Sequence, residues 1–214
     1  MHRYLSVVRI SLLLFLLFIY LTISGCAIFK GGKVSETVLT PLENTGQPKP
    51  SVSYDITAMG GLIETAKSPE HIQSIIAGEF LQVLEQSNYF SRISKKDSEA
   101  DITIFVTIKN TGNPAAIIPA FITGLSFYTI PSWATDNIDV TATAKDKRGN
   151  SKEYILSDST IIVQWLPMLF IFPANNFSVI PEVRKNMYRN ILLQMKNDGF
   201  MTNNTIVKIS GSGQ

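Results

Sequence analysis

Cys26 is the one thiol in this 214-residue chain, and His71 is the one histidine beyond residue 25. These two counts restrict the available chemistry. A single cysteine cannot close a disulfide within the chain, even in an oxidising compartment. A triad of the Ser-His-Asp kind would have to rest on His71, and a zinc site would lack its usual ligands. Asp136 and Asp139 are neighbours in sequence with no base beside them, and read as solvated positions at the start of a strand. Gly60-Gly61 lacks the lysine and hydroxyl of a phosphate loop. Gly211-Ser212-Gly213 lies in a terminal tail with no strand before it, unlike a nucleophile elbow. No catalytic residue, metal ligand or cofactor is expected, and the chain is not expected to be an enzyme.

The residues before Cys26 decide where that thiol works. Arg3 and Arg9 precede an apolar run from Ile10 to Leu21, which closes on Ile23-Ser24-Gly25-Cys26. A basic head, an apolar middle and small residues before a cut describe a secretory signal peptide. The last four positions resemble the lipobox of bacterial lipoproteins: an aliphatic residue, two small ones, then cysteine. That resemblance implies cleavage between Gly25 and Cys26, diacylglycerol on the Cys26 thiol, and acylation, typically with palmitate, of its new amino terminus. Ala27 rather than Asp follows the cysteine, which is similar to outer-membrane lipoproteins that face the periplasm. Two other readings stay open. The run is either an uncleaved anchor, although short of the ~20 residues a span needs, or an ordinary signal peptide with Cys26 beside its cut by chance. In all three the remaining chain lies outside the cytoplasm.

Removing residues 1–25 leaves 189 residues, enough for one domain with a core. Arg3 and Arg9 go with them, so the 19 cationic side chains fall to 17 and match the 17 acidic ones. The basic balance of the whole sequence thus belongs to its signal, and no nucleic-acid partner is expected.

Residues 26–50 read as the lipidated cysteine and a flexible tether, punctuated by Gly31, Gly32, Pro41, Gly46, Pro48 and Pro50. A single domain follows over 51–209, with 210–214 as a disordered tail. Ser51 to Met59 alternates as a strand. Ser68 as N-cap, Pro69 at the first helical position and Glu70 in the first turn open a helix. Ile72, Ile75, Ile76, Phe80, Val83 and Leu84 form its stripe. His71 falls before the stripe and reads as a surface residue. Ala100 to Lys109 and Ile138 to Lys145 alternate strongly, and a third strand from Lys152 to Val163 alternates less well, as at a bulge or an edge. A second helix starts at Pro181-Glu182 and stops at Asp198-Gly199, and Thr205 to Ile209 adds a short strand. The expected fold is α+β: a mostly antiparallel sheet of about four strands with two helices packed on one face.

Two long segments carry no charge, 110–135 and 159–181. Their prolines exclude a continuous strand or helix. If the three central strands form a meander, both segments converge on one end of the sheet, opposite the charged turn at Lys147-Arg148. Three accounts fit them: burial over the sheet, an exposed apolar patch for a partner or a membrane, or bilayer-spanning helices, against which the prolines and Asn175-Asn176 argue. The patch reading singles out 112–133 and 164–178, with Phe121, Phe127, Tyr128, Trp133, Trp165, Leu166, Phe170 and Phe172 as its surface.

The phrases Ile130-Pro131-Ser132-Trp133-Ala134-Thr135-Asp136 and Val163-Gln164-Trp165-Leu166-Pro167 resemble those of small uncharacterised bacterial lipoproteins. The order of elements is similar to that of periplasmic lipoproteins that assist envelope machines. The resemblance implies a membrane-anchored binding or accessory module with an envelope protein partner. The alternative is a carrier of a lipid or other amphiphile, in a cavity lined by the two apolar segments. A cavity of at least ~300 Å³ between the layers would favour the carrier, and a filled core with exposed Trp133 and Trp165 would favour docking.

Overall fold

Core-facing rows of β-branched residues organise the molecule. The computed structural model describes residues 26–42, 48–60, 66–168 and 178–201. Ile102, Ile104, Val106 and Ile108 alternate along β4 (Ile102–Gly112), and Ile138, Val140, Ala142 and Ala144 along β5 (Ser132–Asp146). All eight are buried, because side chains two apart on a strand share a face. β5 pairs antiparallel with β4 from Ile102↔Asp146 to Gly112↔Asp136, and with β6 (Ser151–Gln164) from Lys145↔Ser151 to Ser132↔Gln164. The expected meander is present, and it turns at 147–150 with Gly149 at φ 88°. The β5–β6 ladder runs without a bulge, so the weak alternation of β6 has another cause. Asp158, Ser159 and Thr160 are all buried because a preceding segment of chain wraps them.

Over 26–42 that segment is folded onto the domain and departs from the reading of 26–50 as a flexible tether; residues 43–47 lie outside the described residues. Cys26–Lys30 is a strand, β1, paired antiparallel with β6 from Cys26↔Gln164 to Lys30↔Thr160. Gly31 then donates its N–H to the Ser159 carbonyl at 2.6 Å, and the approach is so close that a Cβ there would strike Ser159. Asp158 accepts the backbone N–H groups of Lys33 and Val34 at 3.0 and 3.3 Å, and Asn186 accepts that of Thr37 at 2.9 Å. Val34, Leu39 and Leu42 pack on the core. The strap lacks a sequence period because buried side chains, rather than a second strand, satisfy its backbone.

On the other side of β4 lies β2 (Ser51–Gly60), parallel to it from Val52↔Ile102 to Gly60↔Asn110. Helix α1 (Glu70–Ser87) returns the chain to β3 (Arg92–Lys95), which pairs parallel with the start of β2. The sheet is therefore six-stranded and mixed, in the order β1-β6-β5-β4-β2-β3. This enlarges the expected sheet of about four mostly antiparallel strands. β3 is four residues with a cation at each end, too short to show a period. Three helices are described rather than two: α1, α2 (Ile117–Leu125, after a 3-10 turn at Pro114–Ala116) and α3 (Val179–Asn197). Pro69, not Ser68, occupies the N-cap of α1 and no side chain caps it. His71 is exposed.

α1 and α3 bury Phe80, Val83, Leu84, Met187, Ile191 and Met195 against the inner face. Tyr54, Phe80 and Tyr188 stack edge to face with ring centroids 5.7 and 5.1 Å apart. The Arg184 guanidinium of α3 meets the Glu79 carboxylate of α1 in two hydrogen bonds of 2.7 Å, nearly excluded from water. The expected signal segment 1–25 and the expected strand at Thr205–Ile209 lie outside the described residues, as does the tail 210–214.

Candidate functional site

β4 leaves the sheet at Gly112, β5 enters at Ser132, and β6 leaves at Gln164, so both uncharged segments depart from one end. Cys26 is in that same row, opposite Gln164, which is itself opposite Ser132. The Ser132 hydroxyl bonds the Gln164 side chain at 3.3 Å. Burial pushes the Cys26 thiol up, against a smaller opposing effect of its hydrogen bond to Gln164, which keeps it in the neutral form. This is no activated nucleophile. It is a thiol held at the sheet's end with no spacer behind it.

The segment between β4 and β5 folds into a compact apolar hairpin. Asn113 accepts the Ala115 N–H at 3.0 Å with Pro114 in the first turn, starting the 3-10 turn that continues into α2. Within α2 only Thr123 is buried. Ile117, Ile118, Phe121, Ile122 and Leu125 point outward, with Ile118 69% and Phe121 66% exposed. Trp133 is 69% exposed and Trp165 37%. Nine of the fourteen exposed large apolar side chains among the described residues lie within 117–133 or at 165. This concentration is a patch rather than the scattered exposure of an ordinary surface. Burial over the sheet is thereby excluded for α2 and Trp133. Tyr128 and Leu166 are half-buried, and the Leu166 N–H donates to the Tyr128 carbonyl at 2.8 Å, joining the two segments. Phe170 and Phe172 lie outside the described residues. Among the described residues no helix is long and apolar enough to cross a membrane.

Polar groups in the hairpin are satisfied from within. Thr123 donates its hydroxyl to the Pro119 carbonyl at 3.0 Å, Ser126 to that of Thr123 at 2.9 Å, and Thr129 to that of Ser126 at 2.7 Å. The N–H groups of Ser126, Phe127 and Tyr128 return to Ile122, Gly124 and Thr123. Phe127 and Tyr128 reach this closure with φ of 52° and 62°, the left-handed region where glycine usually ends a helix. Two successive aromatic residues there hold strain of order 1 kcal/mol or more each.

Behind the hairpin, where the inner row reaches this end, isoleucine gives way to polar side chains. Asn110 follows Ile108 on β4, and Asp136 precedes Ile138 on β5. Burial raises the Asp136 carboxyl above the usual carboxylate range, opposed by its hydrogen bond to Asn110 and by the Arg184 charge. Asn110 Oδ1, Thr160 Oγ1 and Tyr188 Oη are buried without a hydrogen-bond partner. Among the described residues no cluster of His, Cys, Asp or Glu could hold a metal ion.

Sequence reasoning reached the hairpin through its aromatic residues and did not single out Ile117, Ile118, Ile122 or Leu125. With Phe121 their spacing (one, four, five and eight residues from Ile117) is helical and would have identified them. A cavity of about 460 Å³ does lie between the layers. Among the described residues it is lined by β2, β4, β5, α1 and the start of α3, and the two uncharged segments reach it there only through Asn110, Ile180 and Pro181 at their ends.

No protein-family model matches the chain, and no curated protein sequence matches it. Among solved structures it is similar to the rare lipoprotein B of Shewanella oneidensis. The identity is 10% and the TM-score 0.37, over 68% of this chain and 95% of that one. It is also similar to a DUF4136 family protein of Bacteroides thetaiotaomicron, at 9% identity and a TM-score of 0.29, over 84% of this chain and 98% of that one. Likenesses this distant leave the role to be argued from the chain itself.

Proposed function

We propose that this chain is a non-catalytic, lipid-anchored module of the bacterial envelope, on the outer membrane facing the periplasm. Its apolar sheet end rests on the bilayer while the opposite, charged end is presented to an envelope protein. The observation that carries the reading is the register Cys26↔Gln164↔Ser132. It sets the candidate lipid site and the two tryptophans at one end of the same sheet. Because β1 begins at Cys26, an acyl chain there would bring the hairpin to the membrane surface rather than trail it on a tether.

A bilayer suits the hairpin better than a protein partner. The patch carries no charge from 110 to 135, so it offers nothing for electrostatic selection of a partner. The Thr123, Ser126 and Thr129 hydroxyls and the turn N–H groups are already bonded internally, as backbone in hydrocarbon requires. Trp133 and Trp165 then sit where amphipathic rings favour the interface.

The test pairs lipidation with orientation. Metabolic palmitate label is expected on the chain and is expected to vanish in Cys26→Ser. The full chain in vesicles is expected to show tryptophan fluorescence quenched by lipids brominated near the headgroup. Label without quenching would mean that the patch serves a protein instead, and no label would remove the anchor.

A further inference from the structure

The cavity between the layers is separate from the exposed patch and has its own chemistry. Ala58, Ile108 and Ile138 form its floor at the ends of three core-facing rows, and Ile72, Ile76 and Ile180 close it from α1 and α3. Its volume of about 460 Å³ falls within the range of about 300–1,000 Å³ typical of small-molecule sites. Gly60 contributes backbone where no side chain fits: its φ is 128°, and a Cβ would collide with the Asn110 carbonyl. A half-open groove lined by isoleucine suits a hydrocarbon chain.

We infer that this cavity binds the chain of a single-chain amphiphile with a neutral, hydrogen-bond-donating head, such as a long-chain alcohol or monoglyceride. Two observations set the head group. Asn110 lines the cavity, its amide engages Asp136, and its Oδ1 is buried without a partner. That Oδ1 has no water-accessible surface, so a donor brought in with the ligand satisfies it once the Asn110 amide turns toward the cavity. Arg184 is the one cation lining the cavity among the described residues, and Glu79 already neutralises it through two bonds of 2.7 Å. With Asp136 also close, the site has no positive charge to spare, so an anionic head would enter against desolvation without compensation. The selectivity therefore differs from that of a fatty-acid site, which would keep a free cation.

The experiment uses the full chain in phosphatidylethanolamine–phosphatidylglycerol vesicles, doped with hexadecanol or hexadecanoic acid carrying a mid-chain diazirine. After irradiation, labelled peptides are mapped. Hexadecanol is expected to label 58–60, 72–76 and 180–184 about tenfold more than the acid, the ratio that one hydrogen bond to a matched acceptor supplies. Ile75→Trp, placed at the exposed rim of the cavity, is expected to erase that label while retaining any on 117–125. Asn110→Leu is expected to bring the alcohol and acid close to equality. Label confined to 117–130, label that survives Ile75→Trp, or an acid signal equal to the alcohol signal in the unaltered chain would each overturn the inference. Label on 117–125 reports bilayer contact separately, so failure of the docking reading and failure of the cavity reading are distinguishable.

Discussion

Phe121→Asp probes the docking end with the least disturbance to the fold, because two-thirds of Phe121 already faces water. Burying a whole phenylalanine is worth about 1.5–3 kcal/mol, so docking recovers about 1–2 kcal/mol from the exposed part of this side chain. The aspartate loses that gain. It also introduces a charge that costs about 2.5–3.5 kcal/mol at a bilayer centre, and about 1 kcal/mol at the shallower depth of a surface helix. The combined penalty of about 2–3 kcal/mol lowers the ratio of docked to undocked orientations roughly 30- to 150-fold. A lipid at Cys26 would keep both orientations on the membrane, so sedimentation would miss the change. Quenching by brominated lipids would not, since Trp133 and Trp165 are the two tryptophans of the chain and both lie at this end. Quenching is expected to fall close to that of free tryptophan in Phe121→Asp, with unfolding stability within about 0.5 kcal/mol of the parent. Val38→Asp makes the same chemical change at an 86% exposed site on the strap and is expected to leave quenching intact. Unchanged quenching in Phe121→Asp, or an equal loss in Val38→Asp, would refute end-on docking.

Arg184→Met leaves the Glu79 carboxylate buried without its partner and is expected to cost about 3–5 kcal/mol in urea unfolding, with much of that restored by adding Glu79→Leu. Phe127→Gly releases a strained left-handed position and is expected to gain up to about 1 kcal/mol of stability while weakening tryptophan quenching, an opposition of signs that a purely structural residue would not give. The raised Asp136 carboxyl keeps its proton to higher pH in the folded chain than in the unfolded one. Stability therefore falls as pH rises from the ordinary value of about 4 through the raised one, and Asp136→Asn is expected to remove that fall and to be the more stable form at pH 7 in chemical denaturation.

Much of the fold follows from local patterns. The rows Ile102-Ile104-Val106-Ile108 and Ile138-Val140-Ala142-Ala144, and the stripe of Phe80, Val83 and Leu84, each announce their own element, because alternation and helical spacing are properties of neighbouring residues. The parallel pairing of β2 with β4 is invisible at that level, since an alternating strand reads the same in either direction. β1 escaped because Ala27, Ile28 and Phe29 are too few to show a period, and because glycines follow them at once. Asp158 and Asn186 read as ordinary polar residues until the strap of 33–37 is found hydrogen-bonded to them.

The sequence by itself determined the chemistry at issue: one thiol in a lipobox-like setting, balanced charge from residue 26 onward, and two uncharged segments interrupted by proline. Side-chain type and spacing are sufficient for that. Whether those segments are covered or exposed was decided only by the tertiary structure, as were the cavity beside Asn110 and the arrival of Cys26 beside Trp133 and Trp165. Each depends on which strands pair and in what register, and the pairing of β1 with β6 joins residues more than a hundred positions apart, beyond the reach of any local pattern.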